Sequence, residues 1–474
     1  MEEILKVEGV TVRPLFGLTE DRLRERTASL MEAAEVPDVS GFYHVEAPEE
    51  RLEELAESLR KLDEVDGAYV KPAGAPPVED GEAAVNTMLP SEEEPPSVTP
   101  DFSSRQIYLN AAPSGINARY AWTLPGGRGA GVRIIDCEWG WRFTHEELVQ
   151  NQGGVAIGTN YTDDNHGTAV LGEFSGDPNT FGITGICSDA FASAASFATL
   201  PTAAVIRQAA DRLRAGDIML LEIHRPGPGA SGSGQDGYIA IEWWPDDFAA
   251  IRYAVGRGVI VVEAAGNGAR NLDLPIYDSP ATGFPTTWRN PFNPANPSSG
   301  AVVVGAGAPP PGTHGQDHGP DRSRLDFSNH GKRLDAQGWG REVTTTGYGD
   351  LQGGVTRDLW YTDQFSGTSS ASPIVVGALG CVQGILRARR QPLLTPASAR
   401  NLLRTTGSPQ QDAPGRPRAE RIGNRPDLRQ MIARAAGLVP HELEAEGGRV
   451  EIATEAAARV VVNINAPGAT INIR

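Results

Sequence analysis

Residues 105–436 predict an α/β fold, a parallel sheet with helices on both faces, on two observations. Short apolar runs recur at residues 131–135, 217–221, 259–263 and 301–304, each bounded by turn residues. Stretches of helical spacing, such as 202–213 and 247–255, lie between them. Near-continuous apolar strands alternating with helices indicate a sheet buried on both faces. In such sheets functional groups gather beyond the carboxyl ends of the strands. Asp136 follows one predicted strand end and Asn267 follows another.

Residues 1–72 form a separate small α/β unit. Residues 6–12, 41–45 and 68–71 read as strands, and 23–34 as a helix. Pro48 opens a second helix with Leu52, Leu55, Leu59 and Leu62 on one face. Residues 73–104 change character. They are rich in proline, carry Glu79, Asp80, Glu82 and the run Glu92-Glu93-Glu94, and hold no Lys or Arg. That composition is a solvated linker. Residues 437–474 form a C-terminal extension. Its strands 460–465 and 470–473 flank Ala466-Pro467-Gly468-Ala469 as a β-hairpin. Val460, Val462, Ile464, Ile471 and Ile473 give the hairpin an apolar face. A lone hairpin is marginal in water, so this face covers the main domain or pairs with another copy or a partner.

At 474 residues the chain is long enough for about two to three domains. A net charge of −18 argues against nucleic acid and against anionic membranes as partners. No apolar run reaches the roughly 18 residues that span a bilayer. The N-terminus, Met1-Glu2-Glu3-Ile4-Leu5-Lys6, lacks a basic segment followed by an apolar one. The expected location is therefore the cytoplasm, or the outside of the cell if a signal has been removed. Cys137, Cys187 and Cys381 are an odd, sparse set that suits neither a disulfide framework nor a zinc site.

Four distant fragments carry the chemistry. They are Ile134-Ile135-Asp136, His166-Gly167-Thr168, Ala264-Ala265-Gly266-Asn267-Gly268 and Gly367-Thr368-Ser369-Ser370-Ala371-Ser372-Pro373. A serine hydroxyl is a poor nucleophile without a base. His166 is the candidate base, and Asp136 the group that fixes its tautomer and stabilises the imidazolium. Asn267, in a glycine-rich turn, offers an amide to a developing oxyanion. Val375, Val376, Leu379, Val382, Ile385 and Leu386 follow Ser369 at helical spacing, and Pro373 is tolerated in the first turn. Ser369 then sits at a helix N-terminus, where free N–H groups favour negative charge. Nucleophile, base, orienter and oxyanion donor together make an acyl-transfer set.

With the chain order Asp, His, Ser and the Asn turn, residues 105–410 resemble the subtilisin-like serine proteases (subtilases, peptidase family S8). Val302-Val303-Val304-Gly305-Ala306 and residues 326–335 also look like family segments. The resemblance implies a subtilisin-like sheet and a triad of Asp136, His166 and Ser369, with Asn267 in the oxyanion hole. It implies peptide or protein substrates and chemistry that requires no cofactor. Structural calcium is frequent in the family, but no metal ligands are assigned. The 1–72 unit resembles the family's ferredoxin-like inhibitory prodomain, so the chain's own N-terminal domain is expected to bind across the active site. Self-processing is expected within 80–104, with Met88-Leu89 the best apolar stretch there.

Departures from the family pattern are specific. Asp136-Cys137-Glu138 replaces Asp-Ser/Thr-Gly, and Ser370 replaces a usual Met. Glu222-Ile223-His224-Arg225 replaces the Ser-Leu-Gly-Gly that lines the substrate pockets. With Ala264, Ala265 and Gly266, these are the expected substrate-binding residues. Glu222 and Arg225 are expected either to meet charged substrate groups or to pair with each other at the rim. Cys137 is read as filling the Ser/Thr slot. Trp243-Trp244 are expected to pack at a helix start capped by Asp246 or Asp247. His314, Asp317 and His318 lack ligand spacing. Three functions remain: a self-processing endopeptidase, a catalytically silent interaction protein on the same scaffold, and a protease dedicated to one partner.

Overall fold

The structure is a computed structural model that describes residues 9–34, 36–77, 95–232, 234–437, 449–452 and 470–473. The N-terminal unit holds β1 (Thr11–Pro14), α1 (Glu20–Ala34), β2 (Tyr43–Glu46) and α2 (Leu52–Leu59). β1 and β2 pair antiparallel. The strand expected over 68–71 does not form. Its side chains find partners on the large domain instead: Tyr69 Oη donates to Asp246 Oδ1 at 2.8 Å, and Lys71 Nζ lies 2.8 Å from Asp247 Oδ1.

The large domain is built on β3 (Arg133–Glu138), β4 (Gln152–Ile157), α3 (Asn165–Ser175), β5 (Phe191–Ser196), α4 (Thr202–Arg212) and β6 (Ile218–Leu221). It continues through β7 (His224–Pro226), β8 (Tyr238–Ala240), α5 (Pro245–Gly256), β9 (Ile260–Ala264), β10 (Val302–Gly307) and β11 (Ala336–Trp339). β12 (Val343–Thr346), β13 (Tyr361–Phe365), α6 (Thr368–Ala388), α7 (Pro396–Thr405) and α8 (Leu428–Ala436) complete it. Seven strands form one parallel sheet in the order β11-β10-β9-β6-β3-β5-β4. The sheet is the doubly covered α/β layer that the apolar runs predict.

The two faces have separate cores. On one, α6 packs against β6, β9, β10 and β11 and against α3 and α8. α6 is buried from Thr368 to Leu386. It is the helix among the described residues that is long and apolar enough to cross a bilayer, and the rest of the domain encloses it. A helix that is apolar all round must be covered all round. On the other face, α4 and α5 pack together, and α1 packs on α5. Leu15, Phe16, Leu23, Val36 and Val39 of the N-terminal unit join that core beside Ile135, Cys137 and Met219.

β15 (Thr470–Ile473) pairs in parallel with β14 (Arg449–Ile452). The sequence reading put it in an antiparallel hairpin with 460–465, which lie outside the described residues.

β11 and α6 meet without a gap. A Cβ on Gly338 would lie 2.2 Å from the Ala371 carbonyl oxygen and 2.7 Å from its Cα. Gly338→Ala therefore displaces the first turn of α6, which carries Ser369. The expected result is a loss of about 1–3 kcal/mol in denaturant unfolding, with a fall in activity beyond what the lost stability explains. Unchanged stability would show that the two elements slide apart freely.

Candidate active site

Ser369 is the second residue of α6 and is fully buried. Gly367 precedes the helix with φ +100°, a backbone region closed to most L residues, and a Cβ on it would lie 2.3 Å from the Pro77 carbonyl oxygen. Both facts demand glycine. Ser369 Oγ donates to that same carbonyl at 2.9 Å and lies 3.3 Å from the Ser366 oxygen.

His166 is the second residue of α3. A Cβ on Gly167 would lie 2.6 Å from the Trp141 ring, so glycine lets that ring close on the helix. His166 Nδ1 lies 2.8 Å from Glu138 Oε2, and its ring meets Phe365 edge-on. Among the described residues Nε2 has no hydrogen-bond partner. Burial pushes the imidazole pKa down to about 4, against the opposing pull of Asp136 and Asp163.

The carboxylate in contact with the imidazole is Glu138, whereas the sequence reading gave that position to Asp136. β3 runs three residues further than its apolar run suggested, so Asp136 lies inside the strand and Glu138 ends it. Strand alternation puts both carboxyls on one face. Asp136 Oδ2 accepts from Trp141 Nε1 at 2.6 Å, and its other side faces Glu138. Burial raises both acids well above the usual carboxylate range, Asp136 further through Glu138 beside it. Two buried carboxyls in contact cannot both ionise, so they share a proton. Asp136 holds it and donates to Glu138, which turns a carboxylate to His166.

Asn267 lies in the turn after β9. Its Nδ2 donates to the Pro77 carbonyl at 2.7 Å. Its Oδ1 accepts from Thr368 N and Thr368 Oγ1, each at 2.9 Å, which fixes the amide's orientation. Asn329 Nδ2 braces the turn through the oxygens of Ala265 and Tyr238, both at 2.7 Å. The Pro77 carbonyl thus sits between an amide donor and the serine hydroxyl.

The altered pocket stretch divides by alternation. Glu222 turns inward and its Oε1 accepts from Ser372 Oγ at 2.6 Å, so it neither lines a rim nor pairs with Arg225. Burial raises its pKa well above the usual range. Arg225 instead bonds Asp247 Oδ2 at 3.2 Å, the Pro72 carbonyl at 2.6 Å and the Thr202 hydroxyl. Ile223 meets Gly74. His224 exchanges both backbone hydrogen bonds with Ala75, each 3.1 Å, in an antiparallel bridge. Of the opposite wall, Ala264 ends β9, Ala265 N–H bonds the Val304 oxygen, and Gly266 faces His224.

Other expectations resolve plainly. Cys137 is buried in the core on the α4/α5 face, and burial raises its thiol pKa. Trp243 and Trp244 are buried against Phe284, and the start of α5 has no side-chain cap. Asp246 and Asp247 are taken by Tyr69, Lys71 and Arg225. His318 Nε2 lies 2.8 Å from Glu342 Oε1, and His314 contacts the oxygens of Asp363 and Arg105. No group of three or more His, Cys, Asp or Glu among the described residues could hold a metal ion. Sequence reasoning missed Glu138, Pro77 and Gln235, whose Nε2 donates to the Pro76 carbonyl at 2.8 Å. Glu138 was visible as a departure two residues from Asp136, but Gln235 and Pro77 carry no local signal.

The sequence profile of the subtilase family matches residues 145–423. An extracellular protease of Xanthomonas campestris pv. campestris is 31% identical over 159 residues, which are 33% of this chain and 21% of that protein. The chain therefore matches about a fifth of that relative's length. Among solved structures, a protease from Pseudoalteromonas arctica has 18% identity and a TM-score of 0.48, covering 72% of this chain and 100% of its own. The epidermin leader peptide processing serine protease of Staphylococcus aureus has 19% identity and a TM-score of 0.48, covering 72% and 83%.

The carboxyl pair makes a measurable distinction. Glu138→Gln removes the imidazole's direct partner and should cost about 10⁴-fold in kcat, the penalty of a wrong tautomer. Asp136→Asn keeps donors and acceptors in place and exchanges an O–H for an N–H donor to the Glu138 carboxylate, so it should cost about tenfold or less. Steady-state kinetics that rank the two variants in the reverse order would restore the role to Asp136.

Proposed function

Because the chain belongs to the subtilase family, we propose that it is a serine endopeptidase made as a self-processing zymogen. Ser369 is the nucleophile, His166 the base, the Asp136–Glu138 pair the orienter and Asn267 the oxyanion donor. The observation that carries this reading is the Pro77 carbonyl, held by Asn267 Nδ2 at 2.7 Å and Ser369 Oγ at 2.9 Å. A carbonyl between those two groups is where an acyl-transfer substrate belongs.

The steps follow from the residues. Ser369 Oγ attacks a substrate carbonyl carbon as His166 Nε2 takes its proton. Glu138 keeps the other imidazole proton on Nδ1 and stabilises the cation that forms. Asn267 Nδ2 donates to the developing oxyanion, and the orientation of its amide is already fixed by Thr368. His166 then protonates the leaving amine, and water releases the acyl group. The N-terminal unit acts as an intramolecular inhibitor. Its apolar residues join the core beneath α4 and α5, and Lys71, Pro72 and Ala75 bind along the cleft.

A fluorophosphonate probe should label the wild-type chain at Ser369 and leave Ser369→Ala unlabelled, with peptide hydrolysis lost and circular dichroism unchanged. Hydrolysis that survives in Ser369→Ala would end the assignment.

The pH profile gives a second test. The base must be neutral to accept a proton, and an imidazole pKa near 4 keeps it neutral through pH 5–6. Because kcat reports the occupied site, its acid limb should lie well below the ordinary histidine value of about 6.5. A kcat profile that falls through pH 6.5 would contradict the buried, occupied-site environment assigned to His166.

A further inference from the structure

We infer, resting on the protease reading above, that this enzyme cleaves on the carboxyl side of proline, that His224 sets this preference, and that its own processing bond is Pro77–Val78.

The register of the bound segment fixes which residue precedes the bond to be cut. The carbonyl between Asn267 and Ser369 is that of Pro77, and the Pro77 ring is buried. Two residues upstream, Ala75 makes both ladder bonds with His224. Between them, the Pro76 carbonyl accepts from Gln235 Nε2 at 2.8 Å. Pro76 and Pro77 bring no N–H groups, so neither adds a donor that the cleft must satisfy. Their fixed φ also reduces the entropy lost when an extended peptide binds. One carbonyl at a time can occupy the hole, so the cut expected within 80–104 gives way to the bond after Pro77.

His224 explains why the residue before the bond is compact. Its stretch and the 264–267 turn form facing walls, and where the family has glycine this chain has an imidazole. His224 Nδ1 accepts from Asn267 N at 3.2 Å, its ring lies 4.8 Å from that of Tyr238, and its Cβ would be 3.3 Å from a Cβ on Gly266. The ring therefore bridges the walls and narrows the slot between them. A short, closed side chain such as proline fits beside it, and a large aromatic one meets the ring. Further out, Gly74 is matched to Ile223. A Cβ there would fall 2.5 Å from Ile223 Cδ1 and 3.3 Å from Arg225 Cζ. The substrate class is thus an extended peptide with proline before the cut and glycine three residues earlier.

Cleavage balances simply. The Ser369 Oγ–Pro77 C bond forms and the Pro77 C–Val78 N bond breaks, with the serine proton delivered through His166 Nε2 to the Val78 amine. Water then adds to the ester carbon, the Oγ–C bond breaks, and Ser369 regains a proton from the same imidazole.

The full-length chain and Ser369→Ala are incubated side by side and mapped by mass spectrometry, with fluorophosphonate labelling in parallel. Wild type should yield a large fragment beginning at Val78, and Pro77→Phe should slow that cut by at least about tenfold. In trans, Gly-Ala-Pro-Pro-aminocoumarin amide should exceed Gly-Ala-Pro-Phe-aminocoumarin amide by at least about tenfold in kcat/KM. His224→Gly should shrink or reverse that ratio, and the wild-type ratio decides the matter if this variant does not fold. A labelled enzyme that cuts elsewhere, stays intact or takes the Phe peptide equally well would overturn this inference while leaving the protease reading in place. An enzyme that neither labels nor cleaves would remove both.

Discussion

Helix α6 has no polar face to give to water, and the large domain is arranged around that constraint. Its 21 residues lie against four strands and three helices, α3, α8 and the short helix Ala118–Ala121, and an apolar cylinder of that length can be buried only in the middle of a layered domain. The consequence for chemistry is positional. A central helix must start at the edge of the sheet, and its first turn then lies beside the turn that follows β9. Thr368 in that first turn bonds both its N–H and its hydroxyl to Asn267 Oδ1. Ser369 and Asn267 are thereby held relative to each other by packing that extends over the whole domain.

Electrostatics at the site are dominated by exclusion of water. Asp136, Glu138, Glu173 and Glu222 are all fully buried, and burial raises every one of them above the usual carboxylate range. Burial acts in the opposite sense on His166 and His224, pushing them down to about 4 and about 3. At these groups burial therefore favours the neutral form. The Trp141–Asp136–Glu138–His166 chain concentrates one negative charge where it faces the imidazole. A second carboxyl two residues along the strand, where the family has glycine, makes the contact with the imidazole.

On the proposed reading, residues 71–77 are a bound peptide. The ion pair at Lys71, the carbonyl contact at Pro72, the antiparallel bridge at Ala75 and the Pro77 contact with Asn267 follow one another along the edge near β7. The same residues that look anomalous in sequence, Ile223, His224 and Arg225, are those that hold this segment. Arg225 is buried yet satisfied because Asp247, Thr202 and Pro72 together meet its donors, which is the condition for a guanidinium to remain inside a protein.

The sequence by itself determined the parallel α/β sheet and the helix that carries Ser369, and it singled out His166 and Asn267 as candidates. Each of these depends on local periodicity or on side-chain chemistry that few residue types provide. Strand cores such as Ile218–Leu221 and Ile260–Ala264 are apolar because both faces are covered, and that is readable residue by residue. What only the tertiary structure decided is pairing across long separations. Whether Asp136 or Glu138 touches the imidazole depends on where β3 ends relative to α3. Whether Arg225 meets Glu222 or Asp247 depends on which face of the stretch each occupies. That Pro77 reaches Ser369, 292 positions away in sequence, depends on the docking of the N-terminal unit. Composition identified that stretch as a linker, because proline and acidic residues cannot build a core, but such composition is silent about what an extended chain will bind.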